Sequence, residues 1–100
     1  MDKYIVKLYP RAYRDIDGIY SYIALGKLAP ENAISQTDRI WDALRSLETF
    51  PSAHQDRLEG RYAGRGYKQL LIDNYIVIFK INDYEKTVYV VTVQYHGRNI

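Results

Sequence analysis

The stretch Tyr67-Lys68-Gln69-Leu70-Leu71-Ile72-Asp73-Asn74-Tyr75-Ile76-Val77-Ile78-Phe79-Lys80-Ile81-Asn82-Asp83-Tyr84-Glu85-Lys86-Thr87-Val88-Tyr89-Val90-Val91-Thr92-Val93-Gln94-Tyr95 decides the fold. It is dense in β-branched and aromatic residues, which suit a pleated surface. Two polar breaks divide it. Asp73-Asn74 is a tight-turn dipeptide, and Asn82-Asp83-Tyr84-Glu85 is a second turn. Three strands result, over 67–72, 75–81 and 87–95. In the last, Val88, Val90 and Thr92 alternate against Tyr89, Val91 and Val93. Links this short allow only antiparallel neighbours, so the segment is a meander. Its apolar face needs a covering layer, which the rest of the chain must supply.

Upstream, Lys3–Tyr9 alternates as a strand, and Pro10 ends it while suiting a first helical turn. From Arg11 to about Leu25, Ala12, Ile16, Ile19, Tyr20 and Ile23 recur at helical spacing, and Gly26 stops the run. Pro30 opens a second helix with Glu31 in its first turn, where the dipole favours an anion. Its apolar face holds Ala33, Ile40, Trp41, Leu44 and Leu47, and Phe50-Pro51 closes it. The short link predicts an antiparallel helical hairpin. The expected fold is α+β in the order β-α-α-β-β-β, with the hairpin packed on one face of a mainly antiparallel four-stranded sheet. At 100 residues the chain is one domain, 1–100.

Residues 51–66 read as a long loop, with Pro51, Gly60, Gly64 and Gly66 and little that is aliphatic. The basic charge gathers here. The net charge is +2, and Arg57, Arg61, Arg65 and Lys68 face only Glu59 between positions 57 and 68. Such a patch is the electrostatic footprint of phosphate contacts, or else a solvated loop. Eleven tyrosines against two phenylalanines suit half-exposed strands, an interface or base stacking. With no cysteine, thiolate metal sites, disulfides and Cys nucleophiles are excluded, and His54 and His96 have no zinc-like spacing. No Gly-rich phosphate loop is present, so neither metal nor cofactor is expected. No membrane span or signal peptide is read, and a cytoplasmic location is expected.

Taken in order, six stretches resemble the RelE/ParE superfamily of toxins from type II toxin–antitoxin modules. They are Tyr4-Ile5-Val6-Lys7-Leu8 with Ala12 beyond it; Tyr20-Ser21-Tyr22-Ile23; Leu47-Glu48-Thr49-Phe50-Pro51; Gly66-Tyr67-Lys68-Gln69-Leu70; Asp73 through Ile81; and Val90 through His96. The resemblance covers nearly the whole chain. It implies a cognate antitoxin partner and one of two activities. One branch cleaves mRNA on the ribosome, and the other inhibits DNA gyrase.

Metal-free RNA cleavage needs a base, an acid and cations for the charge that builds on the phosphate. His96 is the evident acid–base group, with an unperturbed pKa near ~6.5. The resemblance places it where the RNase branch carries a catalytic His or Arg, with Tyr95 beside it to stack or donate a proton. Lys68 matches an RNA-contacting basic position, while Arg65, Arg61, Arg57 and Arg98 are candidate phosphate contacts. Two departures stand out: Ile76 occupies the position after the aromatic Tyr75 where that branch usually has Arg, and Leu70 stands where some members have a second Lys. The leading expectation is ribosome-dependent endoribonuclease action on mRNA. Gyrase inhibition is the alternative that Ile76 motivates, and a degenerate chain that only binds its antitoxin is the third.

Overall fold

The computed structural model describes residues 3–96. Strand β1 (Ile5–Leu8) leads into helix α1 (Pro10–Ser21). Proline at the first helical position lacks only an N–H that would have gone unpaired. The helical run carries on to Gly26 as expected, but its last turn, Tyr22–Gly26, widens to π geometry, with Lys27 N–H donating to the Tyr22 carbonyl at 3.1 Å. Helix α2 (Pro30–Ser46) also begins on proline and carries Glu31 in its first turn. The segment read as a loop holds two 3-10 turns, Pro51–Ala53 and Gly60–Tyr62, and a two-residue strand β2 (Gln55–Asp56). Strands β3 (Lys68–Ile72), β4 (Tyr75–Asn82) and β5 (Thr87–Tyr95) follow as the meander.

The sheet therefore has five strands where four were expected, in the order β1-β5-β4-β3-β2. The extra strand is short because only Gln55 and Asp56 reach the edge of β3. β1 returns beside β5 in parallel, and all other pairs are antiparallel.

Both faces of the central strands are covered, which explains the continuous apolar run at Ile76–Phe79. Val77, Phe79, Val88, Val90 and Val93 meet Ala12, Ile16, Ile40, Leu44 and Leu47 on the helical side. Ile76, Ile78 and Val91 form a smaller cluster on the other face under Tyr62, flanked by Tyr67. A β-bulge lets β5 serve both layers: Ile78 pairs with Thr92 but Phe79 with Val90, which leaves Val91 unopposed. Simple alternation along 87–95 therefore breaks at Val91.

Strand lengths set up the site. β1 covers the edge of β5 only from Thr87 to Val90. Beyond that point α1 crosses the edge, and Asp15 accepts hydrogen bonds from the Thr92 hydroxyl at 2.5 Å and the Val93 N–H at 3.1 Å. A carboxylate thus occupies part of an edge that would otherwise be open to another chain.

Candidate functional site

Past Asp15 the edge of β5 opens into a groove of about 750 Å³ between the end of α1 and the ends of β4 and β5. Ile19, Ile23 and Val93 supply apolar lining, Tyr22, Tyr75 and Tyr95 supply rings, and Arg14 and Lys27 supply cations. Tyr75 and Tyr95 oppose each other in register and their rings meet edge-on at 5.9 Å. Burial pushes the Tyr75 phenol above its ordinary pKa, and the nearby Tyr95 and Tyr22 phenols push the same way. Lys27 stands over the Tyr22 ring at 5.5 Å from its centre. Tyr95 is 56% exposed and Tyr22 61%, although both line this hollow.

Backbone geometry adds a second feature. Because the Val93 N–H points out to Asp15, alternation turns the backbone of Gln94 towards β4 and that of Tyr95 outwards again. The His96 N–H turns back and donates to the Asn74 carbonyl at 2.6 Å. The groove thus offers an outward-facing strand edge beside aromatic and cationic side chains. This arrangement suits an extended or helical segment carrying apolar and acidic groups.

The residues singled out from sequence do not come together as one constellation. Alternation sends Tyr95 to the helical side and His96 to the opposite face. Lys68 pairs with Phe79 and Tyr95 with Tyr75, so about 13 Å of β4 separates their levels. Lys68 is moreover engaged, with its ammonium 2.8 Å from Asp56 and 3.1 Å from the His54 carbonyl. Arg57 is only 9% exposed. Its guanidinium donates to the Glu59 carbonyl at 2.9 Å and to Gln69 at 3.0 Å, which shapes the loop from within. Arg61 and Arg65 are exposed, next to Tyr62 and between Tyr62 and Tyr67 in the loop, and form no ion pair among the described residues. His96 is also exposed. Arg98 lies outside the described residues. Ile76, the departure noted in the sequence, is 2% exposed beneath Tyr62.

Among the described residues no group of three His, Cys, Asp or Glu side chains is placed to hold a metal. No described helix is long and apolar enough to cross a membrane. Sequence reasoning missed Tyr22, Tyr75, Arg14 and Lys27. The available signal was the tyrosine excess at element ends, with Tyr22 closing α1, Tyr75 opening β4 and Tyr95 closing β5.

A family model described as the ParE toxin of type II toxin–antitoxin system, parDE, matches residues 6–100. No curated protein sequence matches. Among solved structures, the chromosomal ParDE toxin–antitoxin system from P. aeruginosa is similar with a TM-score of 0.75 and 19% identity, covering 93% of this chain and 96% of that one. A RelBE toxin–antitoxin complex from Mycobacterium tuberculosis is similar with a TM-score of 0.63 and 21% identity, over 98% and 97% of the two chains. The archaeal RelE–RelB complex from Pyrococcus horikoshii gives a TM-score of 0.64 and 16% identity, over 96% and 98%. At these identities the structural likenesses bear on the fold. The family match spans all but the first five residues, and the chain belongs to the ParE toxin family of type II toxin–antitoxin systems.

Proposed function

We propose that this toxin acts by gripping a protein target, DNA gyrase, and not by cutting mRNA, and that a cognate antitoxin silences it by lying in the groove between α1 and the end of β5. One observation carries the reading: the groups that RNA cleavage would need are dispersed. Tyr95 and His96 lie on opposite faces, Lys68 and Arg57 are engaged in local bonds, and the usual arginine position is a buried Ile76. An acid–base pair must reach one reacting phosphate from hydrogen-bond distance. A protein-binding toxin needs only a shaped surface, and the tyrosine groove with its outward strand edge supplies one. The ParE family model supports the same branch.

Two assays run side by side test this. Purified toxin should abolish DNA supercoiling by gyrase while leaving message intact on translating ribosomes. Message cut in the presence of toxin, with supercoiling unaffected, overturns the reading. That opposite outcome has its own support, because Arg61, Arg65 and His96 are all exposed and open to solvent, as contacts to an RNA strand would need. In either case, adding the antitoxin should restore the blocked activity.

A further inference from the structure

The β3–β4 turn holds an aspartate where the backbone favours glycine. Asp73 has φ of 54°, and Asn74 is not in the left-handed region, so only the first central residue of this two-residue turn is strained. That pattern ordinarily selects glycine. Aspartate is among the few side chains that tolerate it, and here the side chain is also held from outside the turn. Arg39 of α2 grips it with both ends of its guanidinium, Nε to Oδ2 at 2.7 Å and Nη2 to Oδ1 at 2.7 Å, and Gln36 adds a third bond at 2.9 Å. These donors hold the carboxyl below its ordinary pKa. The next residue, Asn74, presents its carbonyl to the His96 N–H at 2.6 Å and lines the groove with Tyr75 and Tyr95. One strained turn therefore links α2, the start of β4 and the end of β5.

We propose that Arg39 and Asp73 form a latch through which α2 positions the end of β5, and that toxin action depends on it. Both are positioning residues: they act through Asn74 on the Tyr95–His96 segment, from which the chain runs on into residues 97–100. A bidentate guanidinium–carboxylate pair fixes direction as well as distance, which a single contact does not. The latch rests on toxin action in general and is indifferent to whether gyrase or mRNA is the target.

Asp73→Gly separates the two roles of the residue, since it relieves the backbone while removing the latch. The expected result is a folded protein in which the His96 amide exchanges about tenfold faster than in the wild type, because local opening is easier. Growth arrest on induced expression should weaken in parallel. Arg39→Ala leaves the turn sequence intact and should give the same pair of changes, so the test survives a folding failure of the first variant. Arg39→Lys, which keeps the charge but loses the fork, should fall between, and Arg39→Asp combined with Asp73→Arg should recover part of both signals. Unchanged His96 exchange in the single variants overturns the latch. Faster exchange with full growth arrest overturns its role in toxicity. Wild-type growth arrest with active gyrase would sink the target proposed above and leave the latch standing.

Discussion

Removing the Tyr62 ring tests how the helix-free face is held. Tyr62 is 9% exposed and packs on Ile76, Ile78 and Val91, with the Tyr67 ring edge-on at 4.9 Å. A buried tyrosine removes about 150–250 Å² from water. At about 25 cal/mol per Å² that is about 4–6 kcal/mol, an upper bound because unfolded chains already bury part of it. The site lies at a surface loop and can partly collapse, so about 3 kcal/mol is the expected cost of Tyr62→Ala, the lower end of the range for aromatic truncation. Against a typical total of about 5–15 kcal/mol this is a large fraction. In a domain this size it lowers the melting temperature by about 12–24 °C. Tyr62→Phe is the control. No described partner bonds the Tyr62 hydroxyl and no buried side-chain polar atom is left unpaired, so the phenol loss should change stability by less than about 0.5 kcal/mol. Urea unfolding of the three proteins, compared at equal slope, measures both effects. A loss below about 1 kcal/mol for Tyr62→Ala would show that the loop does not hold the face down.

Asp15→Ala strips the carboxylate from the β5 edge and leaves the Val93 N–H without its acceptor; unfolding should register a loss of about 1–3 kcal/mol, and no loss would deny Asp15 this role. His54 has a lowered pKa, first from burial and then from Lys68 nearby. The unfolded chain therefore takes up its proton first, so stability is fully present above about pH 6.5 and falls as acidification proceeds through the lower folded value. His54→Gln should flatten that part of a melting-temperature series, and an unchanged slope would assign the dependence elsewhere. Lys68→Met breaks a pair whose Asp56 partner is 69% exposed, so it should cost no more than about 1 kcal/mol and leave growth arrest intact. Loss of arrest in that variant would return Lys68 to the functional surface. Tyr22→Ala with Tyr95→Ala should weaken antitoxin binding by at least about a hundredfold, as truncated interface aromatics do, and calorimetric titration showing unchanged affinity would move the seat out of the groove.

The sequence announced its elements through local chemistry. Pro10 and Pro30 open helices, Gly26 ends the first helical run, and Asp73-Asn74 turns the meander. Each is a rule about neighbouring residues, and each stretch suffices to state it. The parallel return of β1 to β5 is not written in either strand, because both edges of a strand present the same backbone groups. That pairing decides where β1 stops, which part of β5 lies open and which side chains gather there, so the groove stayed hidden with it. Arg57 was misleading for a related reason. Its position in a basic run suggests solvent, but the Gln69 side chain and the Glu59 carbonyl draw it inward. The bulge at Val91 has no marker of its own among four β-branched neighbours.

The two-residue period of a strand then bears on what this end of the sheet can do. Consecutive residues at the close of β5 serve different faces: Tyr95 joins the groove on the helical side, while alternation sends His96 to the other. Bringing them to a single phosphate would require the chain to twist after Val93. Two bonds oppose that twist, the His96 N–H on the Asn74 carbonyl and the Tyr75–Tyr95 ring contact, and Asn74 is itself tied to α2 through Asp73. A binding surface gains from such rigidity, since ordering costs at the interface are already met in the free protein. A nuclease using both residues would have to undo it. On the function proposed above, the same held end that disfavours bond cleavage by this pair would favour capture of a protein partner in the groove.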